Sequence, residues 1–155
     1  MMKLMLLAAT AGLFVAGCPV LAQIDMRTAI SMDGRCRAEI EGRTVACQPL
    51  GTVMEFGNGR VAFLFSREGT LYSFSGDHAG PRSATFAVTV DMVRIVSQAA
   101  GELDLADAQG ECVIQADGNT RRIIAINCNA RSPKQNARYR FALDQVTNVE
   151  RKTFP

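Results

Sequence analysis

Four cysteines form two similar arrangements, and their spacing is the clearest chemical signal in the chain. Cys36 and Cys47 enclose one short strand-like run with a central glycine, and Cys112 and Cys128 enclose another. The sequence contains no Cys-x-x-Cys pair and a single histidine, whereas a zinc site needs closely spaced ligand pairs. We therefore expect structural disulfides, with no metal site and no cofactor.

Four cysteines allow three connectivities, and the count alone does not select one. The local pattern favours Cys36 with Cys47 and Cys112 with Cys128. In the first pair, a two-residue turn that ends at Gly42 would place the cysteines opposite each other on neighbouring strands. Opposed residues lie about 4.5–5.5 Å apart between Cα atoms, a separation that a disulfide spans.

The second cysteine pair requires an irregularity in its hairpin. The midpoint between Cys112 and Cys128 falls on Thr120, so directly opposed cysteines need a loop with an odd number of residues. The alternative is a β-bulge that shifts the register after Asp117 and Gly118, where turn residues lie.

Hydroxyl, carboxyl and imidazole side chains lie close together between residues 73 and 78. Ser73, Ser75, Asp77 and His78 have the composition of a nucleophile and its base. The segment lacks the Gly-x-Ser-x-Gly elbow, and proximity in sequence does not create the spatial arrangement that such catalysis needs. Because a polar loop after a strand accounts for the same residues, we expect no catalytic site and no enzyme activity.

Four acidic residues form a second candidate group, at Glu102, Asp104, Asp107 and Glu111. Carboxylates are the ligands that calcium prefers, but this spacing is not that of an EF-hand loop. We interpret the segment as a solvated connector, in which acidic residues are common.

Basic residues are concentrated in the last third of the chain. Eight arginines and lysines lie from residue 112 onward with three acids, whereas residues 23–111 carry eight arginines and twelve acids. Such an asymmetry can mark a face for an anionic partner, which we place at Arg121, Arg122, Arg138 and Arg140. Arg138 and Arg140 would share one strand face. The alternative is an ordinary solvated sheet face, since the formal net charge is only +2.

The elements that position these groups follow an export signal. Residues 1–22 combine Lys3, a short apolar stretch and small residues before Ala22, which is typical of a signal peptide. The sequence VAGC, which ends at Cys18, resembles the cleavage box of bacterial lipoproteins. We expect a periplasmic or secreted protein, or alternatively one that is anchored to the envelope membrane through lipid on Cys18. No later stretch approaches the roughly 20 apolar residues of a membrane helix.

The sequence pattern of residues 23–155 predicts a single all-β domain. Apolar and polar residues alternate over segments 59–66, 85–97 and 137–146, and turn residues such as Asn58-Gly59 separate the runs. The stretch from Gln98 to Gly110 does not follow this pattern, and we expect a short helix or a loop that connects two halves of the domain.

The Gly-x-Cys motif occurs twice, at Gly34 and Gly110, about 76 residues apart. A second glycine follows at the same offset, at Gly42 and Gly118, and an apolar run that starts with arginine comes after each closing cysteine. We therefore predict an internal duplication of about 34–80 and 110–155. The fold would be two related disulfide-stapled hairpin units packed as a sandwich or a partly closed barrel. Two disulfide hairpins without a shared unit are the alternative.

These observations predict an exported, non-enzymatic β-domain that acts as an envelope interaction or binding module. Its partner would be an envelope protein or an anionic polymer, and export together with 6% aromatic residues argues against nucleic acid. In size, export signal and β content the chain is distantly similar to periplasmic inhibitors of lysozyme. This resemblance implies the alternative function, which is inhibition of an exported hydrolase such as a lysozyme.

Overall fold

The computed structural model describes residues 26–79 and 85–155, which form ten β-strands. The strands are β1 Met26–Ile40, β2 Arg43–Val45, β3 Leu50–Phe56, β4 Arg60–Arg67, β5 Thr70–Ala79, β6 Thr85–Ser97, β7 Gly101–Leu105, β8 Gln109–Ala116, β9 Ile123–Ser132 and β10 Ala137–Thr153. The predicted signal peptide, residues 1–22, and the predicted lipidation site, Cys18, lie outside the described residues. Within the described part of the chain, no helix is long and apolar enough to cross a membrane.

Eight of the strands close into an antiparallel barrel. Their order is β1-β3-β4-β5-β6-β8-β9-β10, and β10 pairs in turn with β1. The short strands β2 and β7 lie outside this circuit, where they extend the C-terminal halves of β1 and β6. The all-β prediction is therefore confirmed, and the architecture, for which a sandwich or a partly closed barrel was expected, is a closed barrel with two extra strands.

Strand alternation fills the barrel interior with aromatic side chains. Phe63, Phe65, Phe74 and Phe141 are at most 1% exposed and come from β4, β5 and β10. The ring centroid of Phe141 lies 5.1 Å from that of Phe65 and 5.7 Å from that of Phe74. Burial of a side chain of this kind stabilises the fold by about 1.5–3 kcal/mol relative to its exposure. The intervening residues point outward, so the outer face carries the polar and charged side chains.

Two tight turns set the register of the hairpins that contain them. Glu41 and Gly42 have φ angles of 52° and 79°, and Glu68 and Gly69 have φ angles of 45° and 76°. Positive φ at both central residues is typical of a type I′ turn, whose twist matches that of the flanking strands. The predicted pairing of β1 with β2 across the first of these turns is confirmed.

Both predicted disulfides form. Cys36 is bonded to Cys47, with the two Cα atoms 5.7 Å apart, and Cys112 is bonded to Cys128. Cys112 and Cys128 are direct partners in the β8–β9 register, and the pairing shifts by one residue at Ile124. Of the two irregularities that the sequence left open for this hairpin, an odd-numbered loop or a bulge, the structure shows the bulge. Disulfides of this kind are typical of a protein exported to an oxidising compartment.

The glycine of each Gly-x-Cys motif lies where two strands approach closely. A Cβ atom added at Gly34 would lie 2.7 Å from the carbonyl oxygen of Asp144, and one added at Gly110 would overlap the carbonyl oxygen of Asn129. A larger residue at either position would require the neighbouring strand to shift. The two motifs therefore share a reason in packing, while the duplication of 34–80 and 110–155 stays a prediction.

The structure of the stretch from Gln98 to Gly110 differs from the prediction. It contains β7 and the start of β8, where a helix or a loop was expected. Leu103 and Leu105 alternate with acidic residues in β7, but five residues are too few for period two to stand out. One long strand, one short outer strand and three barrel strands follow each other twice along the chain. The first set is β1 to β5 and the second set is β6 to β10.

Candidate anion-binding site

The β9–β10 hairpin presents arginines on the outer face of the barrel, and Asp107 holds its turn. The Asp107 carboxylate accepts hydrogen bonds from the Lys134 backbone N–H and from the Ser132 hydroxyl, both at 2.8 Å. These two bonds, with the Lys134 N–H as the larger cause, lower the pKa of Asp107 below its usual value. Across this turn Arg138 pairs directly with Arg131.

Arg131, Arg138 and Arg140 form a group that we call the arginine triad. All three are exposed, whereas Tyr139 and Phe141 point inward from β10 and are buried. Opposed residues of an antiparallel pair lie about 4.5–5.5 Å apart, and residues two apart on one strand lie roughly 7 Å apart. The three side chains also line one pocket, so a small anion bound there could contact all three guanidinium groups.

Few acidic groups offset the charge of the arginine triad. Arg140 Nη1 lies 3.8 Å from Glu39 Oε2, a long ion pair between side chains that are 62% and 38% exposed. Arg131 Nη2 donates to the neutral Gln109 amide oxygen at 3.2 Å. Arg138 has no ion pair and no side-chain hydrogen bond among the described residues. Because like charges directly opposite each other destabilise a sheet, this surface carries positive charge that a bound anion would compensate.

Three neighbouring cavities lie on this face, and one of them, of about 370 Å³, is lined by Glu39 and Glu41 together with Arg131 and Arg138. A pocket of about 410 Å³ covers the arginine triad, and Gln109, Asn129 and Ala130 complete its lining. A larger cavity of about 620 Å³, which we call the β2 groove, shares Asn129 and Arg140 with this pocket and crosses β10 and β1 to reach β2. The four strands β9, β10, β1 and β2 span about 14 Å at ordinary strand spacing. One ligand could therefore extend from the triad into the groove.

The wall of the β2 groove is a three-residue strand that a disulfide holds in place. β2 pairs with β1 through only three residue pairs, and the bond from Cys36 to Cys47 ties the chain immediately after it. Small and polar side chains line the groove between its arginines, and they include Thr44, Ala46, Asn127, Asn129 and Ala142. The acid Glu39 also belongs to this lining. The amides of Asn127 and Asn129 make no hydrogen bond within the described residues.

Arg37 lies at the other end of the β2 groove and is partly neutralised, because it shares one carboxylate with Arg35. Asp144 accepts hydrogen bonds from Arg35 Nε at 2.9 Å and from Arg37 Nη2 at 2.5 Å. Arg35 is the larger cause and Arg37 the smaller cause of a lowered pKa at Asp144. The arginine triad is therefore the end of this surface where a negative charge on a ligand is most strongly attracted.

The structure brings together only part of the predicted basic surface. Arg138 and Arg140 share one face of β10, but Arg121 and Arg122 precede β9 at its other end, roughly 25–30 Å away by strand rise. Arg131, which was not predicted to belong to this surface, lies beside Arg138 and Arg140 in place of Arg121 and Arg122. Recognition of the turn over residues 133–136 would have shown Arg131 to be opposite Arg138.

The structure separates the side chains considered for catalysis. His78 lies on the same strand face as the buried residues of β5, and its ring centroid is 4.1 Å from that of Phe86. Ser73, Ser75 and Asp77 alternate with it and point to the opposite face. Nε2 of His78 is buried and has no hydrogen-bond partner in the described part of the chain. These residues therefore do not form a nucleophile and base in contact.

The acidic residues of β7 form ion pairs with a neighbouring strand. Arg94 Nε lies 3.0 Å from Glu102 and 2.7 Å from Asp104, and the bond from Arg94 lowers the pKa of Asp104. Asp107 holds the β9–β10 turn, and Glu111 is exposed on β8. Among residues 26–79 and 85–155, no three histidine, cysteine or acidic side chains are grouped so as to hold a metal ion.

Comparison with protein-family models, with curated proteins and with solved structures finds no match to this chain. The fold and the site define a disulfide-stapled, closed antiparallel barrel. Its outer face carries an arginine triad beside an amide-lined groove. Side chains that can form charge-assisted hydrogen bonds to an anion are thus the chemistry that this surface offers.

Proposed function

We propose that this protein is an exported, non-enzymatic binding module that holds an anionic partner of the cell envelope on its arginine triad. One observation carries the proposal, namely that Arg131 and Arg138 are direct partners in the β9–β10 register and Arg138 forms no ion pair within the described residues. The repulsion between two opposed arginines lowers the stability of the free protein, and a bound anion offsets this repulsion.

The chemistry of arginine supports an anion as the ligand. The guanidinium group is planar, stays charged, and offers a fork of N–H donors that matches a carboxylate or a phosphate. The three residues extend from two rigid barrel strands, with the β9–β10 turn held by Asp107. Binding needs no movement of the backbone in this arrangement, which lowers its entropic cost.

The sequence and the disulfides support a location outside the cytoplasm. Two disulfides are typical of oxidising compartments, and residues 1–22 have the pattern of a signal peptide. We place the protein in the periplasm or in the secreted fraction, with attachment through lipid on Cys18 as the alternative. The alternative function, inhibition of an exported hydrolase such as a lysozyme, would use an acidic surface of that enzyme as the partner.

Charge reversal with a matched control tests the proposal. The double variant Arg138→Glu, Arg140→Glu should lose most of its retention on immobilised polyglutamate and immobilised polyuronate at low salt. The double variant Arg121→Glu, Arg122→Glu changes the net charge equally but lies at the other end of β9, and it should keep most of its retention. Retention of the wild type should fall with added salt, because screening shortens the Debye length from about 10 Å at 0.1 M to about 3 Å at 1 M.

Two outcomes would overturn the proposal. Equal loss in both double variants would mean that net charge, rather than the arginine triad, governs retention. No salt-dependent retention of the wild type on either polymer would mean that the triad is an ordinary solvated face. A capture experiment from envelope extract separates the two functions, since a single stoichiometric enzyme would favour the inhibitor.

A further inference from the structure

We infer that the partner is an acidic polysaccharide, whose carboxylates bind the arginine triad while its hydroxyl-bearing sugar units occupy the β2 groove. This inference rests on the proposed function and names the chemical class of its ligand. The triad alone does not distinguish an acidic sugar polymer from an acidic polypeptide. The β2 groove does, through the groups that line it.

The triad pocket and the β2 groove form one continuous surface. Asn129 and Arg140 line both cavities, and Arg140 lies between Arg138 on its own strand and Glu39 on β1. A group bound to the triad is therefore adjacent to whatever fills the groove. A polymer whose units each carry a carboxylate and several hydroxyl groups can place a carboxylate on the triad and hydroxyl groups in the groove.

The groove offers side-chain amides and a hydroxyl, which suit the hydroxyl groups of a sugar. Asn127 and Asn129 are exposed on the outer face of β9, two residues apart, and their amides have no partner among the described residues. An amide has both a donor and an acceptor, as a sugar hydroxyl does, so the two groups pair in either direction. Thr44 adds a hydroxyl from the opposite wall.

A polypeptide ligand fits this groove less well, because the backbone under it is already paired. β1 and β10 lie between neighbouring strands, and so does β9, so their N–H and C=O groups take part in sheet hydrogen bonds. An extended peptide gains most of its affinity from such groups at a free sheet edge. No free edge is available to a peptide along β9, β10 and β1, which form the floor of the β2 groove, and the three-residue β2 leaves only a short outer edge at the wall.

The groove also lacks the anchors that protein partners use. The apolar residues of its lining are mostly small, and its one aromatic residue, Phe141, is 1% exposed and points into the barrel. Binding energy between proteins is concentrated in aromatic and large side chains that fill pockets, and single-stranded nucleic acids stack on exposed aromatic rings. The lining of the groove, which includes the acid Glu39, therefore favours a ligand that presents hydroxyl groups there.

Calorimetric titration with two polyanions separates the sugar from the charge. The wild type should bind a galacturonic acid oligomer more tightly than a polyglutamate of equal charge. The variant Asn127→Ala, whose side chain lines the β2 groove but not the triad pocket, should bind the uronic acid oligomer about fivefold more weakly, as expected for one lost hydrogen bond, and should bind polyglutamate unchanged. The double variant Arg138→Glu, Arg140→Glu should lose both ligands. Unchanged melting temperatures would show that the asparagine variant is folded.

The outcomes distinguish this inference from the proposed function. If the wild type binds both polyanions equally and the asparagine variant has the same affinities, the groove takes no sugar, and the proposed function stands alone. If the wild type binds neither polyanion in a way that depends on the triad, the proposed function fails and the inference with it. Selective, asparagine-dependent binding of the uronic acid oligomer is the result that we expect.

Discussion

Removal of one of the two opposed arginines should stabilise the free protein while it abolishes anion binding. Arg138 and Arg131 are cross-strand partners, both are exposed, and Arg138 has no acidic partner in the described residues. The substitution Arg138→Thr removes the repulsion and introduces a β-branched residue, which favours a strand. Arg151→Thr is a matched control, since Arg151 lies on the same strand opposite the uncharged Ile30.

The size of the effect follows from the geometry of the pair. Like charges directly opposite each other destabilise a sheet by about 0.2–1 kcal/mol. We therefore expect Arg138→Thr to raise the free energy of unfolding by about 0.5 kcal/mol more than the control Arg151→Thr does. For a domain of this length this corresponds to an excess of roughly 2 °C in melting temperature. At about 1 M salt the Debye length is about 3 Å, which is shorter than the strand spacing, so the excess should disappear.

Thermal denaturation of the wild type and the two threonine variants, at low salt and at about 1 M salt, measures this difference. The refuting result is an equal shift for Arg138→Thr and Arg151→Thr at both salt concentrations, or a loss of stability in Arg138→Thr alone. Either result would mean that Arg131 and Arg138 do not repel each other, and that the free surface carries no uncompensated charge.

Three further changes test other parts of the structure. Asp144→Asn should lower the melting temperature near neutral pH. Arginine partners depress the folded-state pKa of Asp144. The charge of Asp144 therefore stabilises the fold above the unfolded pKa of about 4. This contribution is lost as the pH falls through the depressed folded-state pKa, and thermal scans of variant and wild type should converge there. His78→Ala should leave polyanion binding within about twofold and cost about 1 kcal/mol in urea unfolding, because the ring packs on Phe86; lost binding at unchanged stability would contradict this. The double variant Cys112→Ala, Cys128→Ala should lose about 3 kcal/mol of the free energy of unfolding, measured in urea. Peptide mapping of the unreduced wild type tests the assigned pairs, and a peptide that links the two disulfide hairpins would contradict them.

Features that depend on local sequence could be predicted. The two-residue turn at Glu41 and Gly42 fixes the register of its hairpin, and this register places Cys36 opposite Cys47. Alternation of apolar residues identified β10 and the outward direction of its arginines in the same way. In these cases one short segment determines the geometry.

Features that depend on pairing between distant segments could not be predicted. Closure of the barrel requires Cys36 to lie opposite Leu143, and no local pattern encodes this pairing. Arg131 joins the site only through its partner on β10, whereas Arg121 and Arg122 are close to it in sequence but lie at the other end of the strand. A basic surface in a sheet is thus set by register across strands, which a count of charges along the chain does not contain.

The central claim is that an anion binds between Arg131, Arg138 and Arg140. The most direct measurement is an NMR titration of the purified, isotopically labelled protein with a galacturonic acid oligomer, followed through the arginine Nε–H signals. We expect the largest and saturable shifts at the three arginines of the triad, with Arg121 and Arg122 unaffected. The largest shifts at Arg121 and Arg122, or small uniform shifts at every arginine, would contradict the claim.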